Sequence, residues 1–313
     1  MTFAIALAVA VVTTPIAALI ARRMGIVDRP GALKTHSTPV AYLGGVALFL
    51  AVLIGPISAG RVELLLPLGA ALVLGVADDV HPLPSVVRLG AEICIGVLSA
   101  FVVPGPVLVQ VATGALVVVL LNAVNLIDGQ DGLAAGVGLA AALGAATLGG
   151  DATAVALAIA GGALGFLVYN RPPARIYLGD GGSYLLGTAL ALLPSLAGGA
   201  LDRWSVWFAM PLLFAMPLAD TAIAVVRRLR AHQPLFVGDR SHVYDQLVDR
   251  GWSVAASTSA CVAAQLVLTA GGAAGARLSP PWALALTVGG AAVVAAVAVG
   301  GGFVVAARAE GAR

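Results

Sequence analysis

Apolar runs return along this chain at short, almost regular intervals, and no other feature restricts its folding as strongly. Eleven segments can be drawn, at about residues 3–21, 42–59, 64–78, 88–103, 107–124, 132–149, 153–169, 183–199, 204–226, 253–273 and 281–307. Between them little charge is left: 10% of the residues are charged and 60% are hydrophobic, against about 25% charged in a soluble domain. A backbone inside hydrocarbon has to satisfy its own hydrogen bonds, so runs of this kind become helices. Several are short, Gly-rich or carry Pro, which suits helices packed on neighbours. The expected fold is all-α, a polytopic membrane helical bundle of about eleven transmembrane helices, with ten as the lower count. It forms one integral membrane domain over 1–313. The opening stretch MTFAIALAVAVVTTPIAALIARR has no basic residues ahead of its apolar run, which is long enough to span; it reads as a retained helix and not a cleaved leader. Cys94 and Cys261 both sit in apolar runs, so neither a disulfide nor a thiolate metal site is expected. Neither a basic nucleic-acid patch nor a solenoid-length repeat is present.

Lys and Arg orient the bundle, because they accumulate on the cytoplasmic side. With the N-terminus outside, the inner side carries Arg22, Arg23, Arg29, Lys34, Arg88, Arg171, Arg175, Arg227, Arg228, Arg230, Arg240, Arg250, Arg308 and Arg313. Only Arg61, Arg203 and Arg277 remain outside. An odd span number then places the C-terminus in the cytoplasm.

The acids take the same side. Asp78, Asp79, Asp128, Asp131, Asp180 and Asp239 fall at inner ends, while Glu63, Asp151 and Asp202 lie in short outer connections. Carboxylates gathered at one depth repel, and a cation, or a ligand bringing cations, relieves the repulsion. The stretch LNAVNLIDGQDGLAAG is the densest case, with Asn122, Asn125, Asp128 and Asp131 within ten residues. Three-residue spacing puts Asn122, Asn125 and Asp128 on one face if the helix lasts that far. Gly129 and Gly132 allow a sharp turn and close approach of a ligand to the backbone.

The neighbouring segments add charge of both signs. Asp78 and Asp79, being adjacent, cannot face the same way on a helix; one can face the site and the other a basic group or loop amides. Pro82 and Pro84 forbid a continuous helix after them, and Arg88 and Glu92 are spaced to pair. In LGDGGS, Asp180 lies in a Gly-rich turn ahead of a span, where helix-start N–H groups can meet an anion and the Asp a divalent cation; an Asp helix cap is the plainer reading. Lys34, with His36 beside it, is an ammonium suited to phosphate. Gly44 and Gly45 read as close helix packing, and Asn170 and Arg175 as serving either phosphate or fold. Asp220, seven residues before Arg227, lies about 10 Å deeper at about 1.5 Å per residue; it either has a function at that depth or pairs with a buried base. The inner loop 227–252 carries Asp239, Arg240, His242, Tyr244 and Asp245 and is the natural place to recognise a soluble substrate.

Taken together and in order from about residue 20 to 252, these segments resemble the polyprenyl-phosphate N-acetylhexosamine-1-phosphate transferases, glycosyltransferase family 4, which include phospho-N-acetylmuramoyl-pentapeptide transferase. VDRPGALKTHSTPVAYLGG is similar to the family's first loop, Asp78–Asp79 to its aspartate pair, and NAVNLIDGQDGLAAG to its asparagine-aspartate motif. LGDGGS is similar to FGDxGS with Leu178 for the aromatic; DRSHVYD keeps His242 of DRxHxHH, with Tyr244 and Asp245 where two histidines are usual. Two further spans follow, at 253–307. The eleven-span layout with its C-terminus inside looks like the branch that uses UDP-N-acetylglucosamine.

The resemblance implies Mg²⁺-dependent transfer of a sugar-1-phosphate from a UDP-sugar to a polyprenyl phosphate, releasing UMP, with Mn²⁺ as an alternative ion. This is the first membrane step of a cell-wall or surface polysaccharide, run at the cytoplasmic face of the plasma (inner) membrane. It implies Asp180 as metal ligand with Asp128 or Asp131 near it, and Asp78 or Asp79 on the lipid phosphate. Lys34, Arg240 and His242 would hold diphosphate, and Asn122, Asn125 and Asp128 would position metal and nucleotide. Substrates and bilayer are the implied partners, nucleic acid is not, and a homodimer is compatible. The competing readings are another UDP-sugar, a cation or proton transporter, which places its acids near mid-membrane, and a non-catalytic relative.

Overall fold

The structure, a computed structural model, describes residues 1–28, 39–199, 202–234 and 240–305. The helices in chain order are α1 (Thr2–Met24), α2 (Gly44–Val52), α3 (Ile54–Ala59), α4 (Leu65–Val80), α5 (Ser85–Val102), α6 (Val107–Ile127) and α7 (Leu133–Ala145). There follow α8 (Gly150–Asn170), α9 (Gly179–Leu196), α10 (Arg203–Leu213), α11 (Ala215–Arg230), α12 (Val243–Asp249), α13 (Val254–Gly275) and α14 (Pro280–Gly300). Among the described residues, each of the eleven expected segments lies mainly on helix, some of it broken. By length and composition six of these helices can cross a membrane, or seven if the bent pair α10–α11 is one span. The segment at 42–59 divides into α2 and α3, and α7 is short and ends in a 3₁₀ turn. Pro82 and Pro84 fall in the gap between α4 and α5, as expected.

The bundle is arranged around α9. Every residue of α9 is buried except Asp180, and α2, α4, α6 and α8 all pack on it. Glycine allows the closest of these approaches: a Cβ on Gly187 would run into the Leu120 and Leu121 backbone of α6, and one on Gly45 into the Gly182 nitrogen. Gly44 and Gly45 thus serve packing.

Two irregular features fix the polar end. The strands β1 (Val27–Asp28) and β2 (Val40–Ala41) pair antiparallel, with Val27 opposite Ala41, a small exception to an all-helical chain. Ala41 then accepts from the Tyr177 N–H at 2.8 Å, and the Gly44 and Gly45 N–H groups reach the Tyr177 and Leu178 carbonyls at 3.1 and 2.9 Å. This clips the end of the first loop to the turn that starts α9. The second feature is the 64° bend between α10 and α11. Pro217 has no N–H for the Leu213 carbonyl one turn back. Gln265 of α13 supplies one from Nε2 at 2.8 Å, and its Oε1 accepts the Met216 N–H at 2.7 Å. The bend aims α11, and with it Asp220, toward α12.

Candidate active site

The C-terminal ends of α4 and α6 and the N-terminal end of α9 meet at one place. Asp79, in the last turn of α4, accepts the Asp180 N–H at 2.9 Å on Oδ1 and the Gly181 N–H at 3.1 Å on Oδ2. A carboxylate across a helix start satisfies donors with no intrahelical partner and meets the positive end of the helix dipole. The expectation that these amides stand open to an anion is therefore corrected: a side chain 101 residues away in sequence fills the place. Asp180 is not its own helix cap either. It lies in the first turn, and its Oδ1 accepts from Asn125 Nδ2 at 2.7 Å. The same Nδ2 is 3.1 Å from Ser183 Oγ.

Asp128 follows the last residue of α6 and accepts no hydrogen bond among the described residues. Burial, followed by the nearby charges of Asp180, Asp79 and Asp131, pushes its carboxyl well above the ordinary carboxylate range. Among the described residues, no positive group offsets that crowding. The cluster is thus Asp79, Asp128 and Asp180 with Asn125, and Asp131 at its edge.

Other expected site residues are spent elsewhere. Asp78 points about 100° away from Asp79 around the helix, yet its side chain still reaches the Asp180 carboxyl, which is raised by burial first, then by Asp79 and Asp78. It accepts the Leu83 N–H at 2.7 Å and the Tyr184 hydroxyl at 3.2 Å, and lies 3.4 Å from Arg88 Nη1. Arg88 also lies 3.5 Å from Glu92, and Glu92 accepts from Asn122 Nδ2 at 2.6 Å. The placement of Asn122 beside Asn125 in the site is corrected accordingly. Three residues leave about 60° between side chains, enough to turn Asn122 to α5 and Asn125 to α9. Asp131 accepts the Ala174 N–H at 2.8 Å, and its carbonyl accepts from Thr258 at 2.9 Å; it holds a turn. Asn170 serves the fold, joining the Gly132 N–H at 3.1 Å to the Ile176 carbonyl at 2.9 Å. Arg175 is exposed, and its carbonyl accepts from Arg22 at 3.5 Å.

Asp220 has found a buried base. Its Oδ2 is 2.5 Å from His242 Nδ1, and its Oδ1 accepts the Val243 N–H at 2.8 Å. The His242 ring stacks on Tyr244, centroids 5.6 Å apart and planes 5° from parallel, and the Tyr244 hydroxyl donates to the Leu126 carbonyl at 3.2 Å. Burial first, then Asp245, Asp220 and Asp128, raises the Tyr244 phenol so that it stays a neutral donor. Arg240 is exposed and 4.0 Å from Asp245, beside α12 and not in the cluster. Lys34, His36 and Asp239 lie outside the described residues.

Sequence reasoning missed Tyr42 and Ser183, and named Tyr244 without the role it takes. Tyr42 stands near the carboxylates of Asp28, Asp79, Asp180 and Asp128. Ser183 backs Asn125, and Tyr244 covers Gly129, where a Cβ would run into the phenol oxygen. Only the neighbouring glycines hinted at these roles.

The donor set suits a hard cation. Carboxylate oxygens without a positive partner are what Mg²⁺ takes, one or two from protein and the rest from water and substrate phosphate. No group of three His, Cys, Asp or Glu among the described residues forms a ready-made metal cage. Asp128 and Asp180 are the residues that fit.

Helices able to cross a membrane, with carboxylates gathered at one end of the bundle, define a membrane protein with an acidic polar end. Comparison with known proteins narrows this. The sequence pattern described as "Glycosyl transferase family 4" matches residues 62–197. A Bacillus subtilis (strain 168) protein named "Probable undecaprenyl-phosphate N-acetylglucosaminyl 1-phosphate transferase" is 31% identical over 278 residues, covering 80% of this chain and 77% of that one. The "Decaprenyl-phosphate N-acetylglucosaminephosphotransferase" of Mycobacterium tuberculosis (strain CDC 1551 / Oshkosh) is 29% identical over 290 residues, 75% and 72% of the two chains. A "Phospho-N-acetylmuramoyl-pentapeptide-transferase" of Moorella thermoacetica (strain ATCC 39073 / JCM 9320) is 55% identical, but over 83 residues, 25% of this chain and 26% of its own. The chain belongs to glycosyl transferase family 4, the polyprenyl-phosphate N-acetylhexosamine-1-phosphate transferases, and is a multi-pass membrane enzyme of the phosphotransferase type.

Proposed function

We propose that the protein transfers N-acetylglucosamine-1-phosphate from its UDP-sugar to a polyprenyl phosphate and releases UMP, as the first membrane step of a surface polysaccharide. The bundle then crosses the plasma membrane eleven times with its N-terminus outside, and the carboxylate end faces the cytoplasm. The observation that carries this reading is the convergence of Asp79, Asp128 and Asp180 from three helices, with no cation among the described residues beside them.

Two anions have to meet in this reaction, so positioning and charge neutralisation dominate the barrier. Mg²⁺, held by Asp180 and Asp128, supplies that neutralisation when bound. Asn125 fixes the Asp180 carboxylate from one side. Asp79 ties α4 to the start of α9, Asp78 is tied to Arg88, Tyr184 and Leu83, and one of the two is assigned to the lipid phosphate. A phosphate monoester has its second pKa near about 6 and is mostly dianionic at neutral pH, so its oxygen attacks without a base. Lys34, Arg240 and His242 are assigned to the diphosphate of the donor.

The test is detergent-solubilised protein with undecaprenyl phosphate and a panel of UDP-sugars, following UMP with and without Mg²⁺. UMP release with UDP-N-acetylglucosamine that needs Mg²⁺ is expected, and Asp180→Asn is expected to abolish it while still inserting. No release with any donor would refute the reading, and full activity of Asp180→Asn would refute the metal assignment.

A further inference from the structure

Asp220 has no part in the chemistry above, yet it is wholly buried and makes two strong contacts across 22 residues of chain. One fixes the backbone at the start of α12, and the other fixes the ring of His242, itself 4% exposed. Beyond the ring the line continues through Tyr244 to the carbonyl of Leu126, two residues ahead of Asp128. Gly129 leaves the space that the phenol oxygen fills. An imidazole in place of Tyr244, as is usual in the family's motif, is shorter and has no hydroxyl to reach that carbonyl.

We propose that Asp220 and Tyr244 are positioning residues that hold His242 in one orientation against the turn between α6 and α7, so that the donor's diphosphate is gripped at a set distance from Asp128. The inference rests on the function proposed above and adds two residues to it. A carboxylate at Nδ1 keeps a proton on that nitrogen and so decides what the opposite nitrogen, Nε2, offers to a ligand. Stacking on Tyr244 removes rotation about the ring plane, and the Tyr244–Leu126 bond carries the placement to the carboxylate turn. Among the described residues, Asp245 accepts the His242 backbone N–H at 3.3 Å and lies 4.0 Å from Arg240.

The chain has 4 histidines, so the ring ¹⁵N signals of His242 can be assigned by their loss in His242→Ala. In the full-length protein those signals should report a proton on Nδ1, and Asp220→Asn should remove that pattern. Asp220→Asn should raise KM for the UDP-sugar at least about tenfold, as removal of a group that orients an imidazole does elsewhere, with kcat little changed. Tyr244→Phe keeps the stack and loses the tie to Leu126, and Tyr244→His loses both length and tie; both should raise KM less than Asp220→Asn. Gly129→Ala should raise KM in the wild-type background and less in Tyr244→Phe, a non-additive pair. An unchanged ring spectrum in Asp220→Asn, or variants that lower melting temperature while KM stays put, would overturn the proposal. If the wild type turns over no donor, the functional reading fails, and the ring spectrum alone decides the positioning.

Discussion

At the scale of single residues, the most informative carboxylate is Asp79, because it does structural and electrostatic work with the same two oxygens. Losing a side-chain cap costs about 0.5–2 kcal/mol. Asp79→Ala should therefore lose about that much unfolding free energy in detergent, while Asp79→Asn, which keeps one accepting oxygen, loses less. If the charge of Asp79 also matters to the phosphate, UMP release falls in both; an active Asp79→Asn would reduce the residue to a cap. The sequence made the special status of these aspartates legible, since adjacent acids at a span end need separate roles. It did not say which role each takes. That depends on partners 101 and 106 residues downstream, Asp180 and Tyr184, and no local pattern encodes them.

At the scale of elements, short segments carry the precision. Gly75 lets α4 lie against α9 so closely that a Cβ there would meet the Asp180 carbonyl. Overpacking of this kind costs about 1–3 kcal/mol. Gly75→Ala should lower melting temperature and, by shifting Asp180, lower activity further than the stability loss explains; normal turnover would contradict this. α12 gives a pH test. Its Asp245 accepts the His242 N–H at 3.3 Å, and burial raises its carboxyl more than His242 and Arg240 lower it. The folded state therefore holds that proton more tightly than the unfolded chain. The associated stability is full below the ordinary carboxylate range and is lost as pH rises through the folded value. Asp245→Asn is uncharged and still accepts the bond, so its melting temperature relative to wild type should climb from about pH 4 to about pH 8; a flat difference would contradict it. Helix existence was legible from the apolar runs, but breaks such as α10–α11 were not, because Pro217 needs Gln265 of another helix to make its bend tolerable. The placement of Asn122 failed for a related reason: helical spacing gives the angle between two side chains, not which neighbour stands there.

At the scale of the whole molecule, charge sorts to two ends. Arg61 pairs with Glu63 and, at 2.9 Å, with Asp151, and it also donates to the Val102 carbonyl at 3.0 Å, far along the helices from Asp79. Arg61, Glu63 and Asp151 of the side expected outside thus neutralise one another, whereas among the described residues the carboxylates around Asp128 have no such partner. That asymmetry was legible as a list of inner and outer residues; its meaning needed the contacts. The most direct test is Mn²⁺ binding to the purified protein by electron paramagnetic resonance, without substrate. The wild type should immobilise the ion, Asp128→Asn and Asp180→Asn should weaken it at least about tenfold, and Asp131→Asn, whose carboxylate is spent on Ala174, should keep it. Undiminished binding in Asp128→Asn and Asp180→Asn, or a loss confined to Asp131→Asn, would contradict the account.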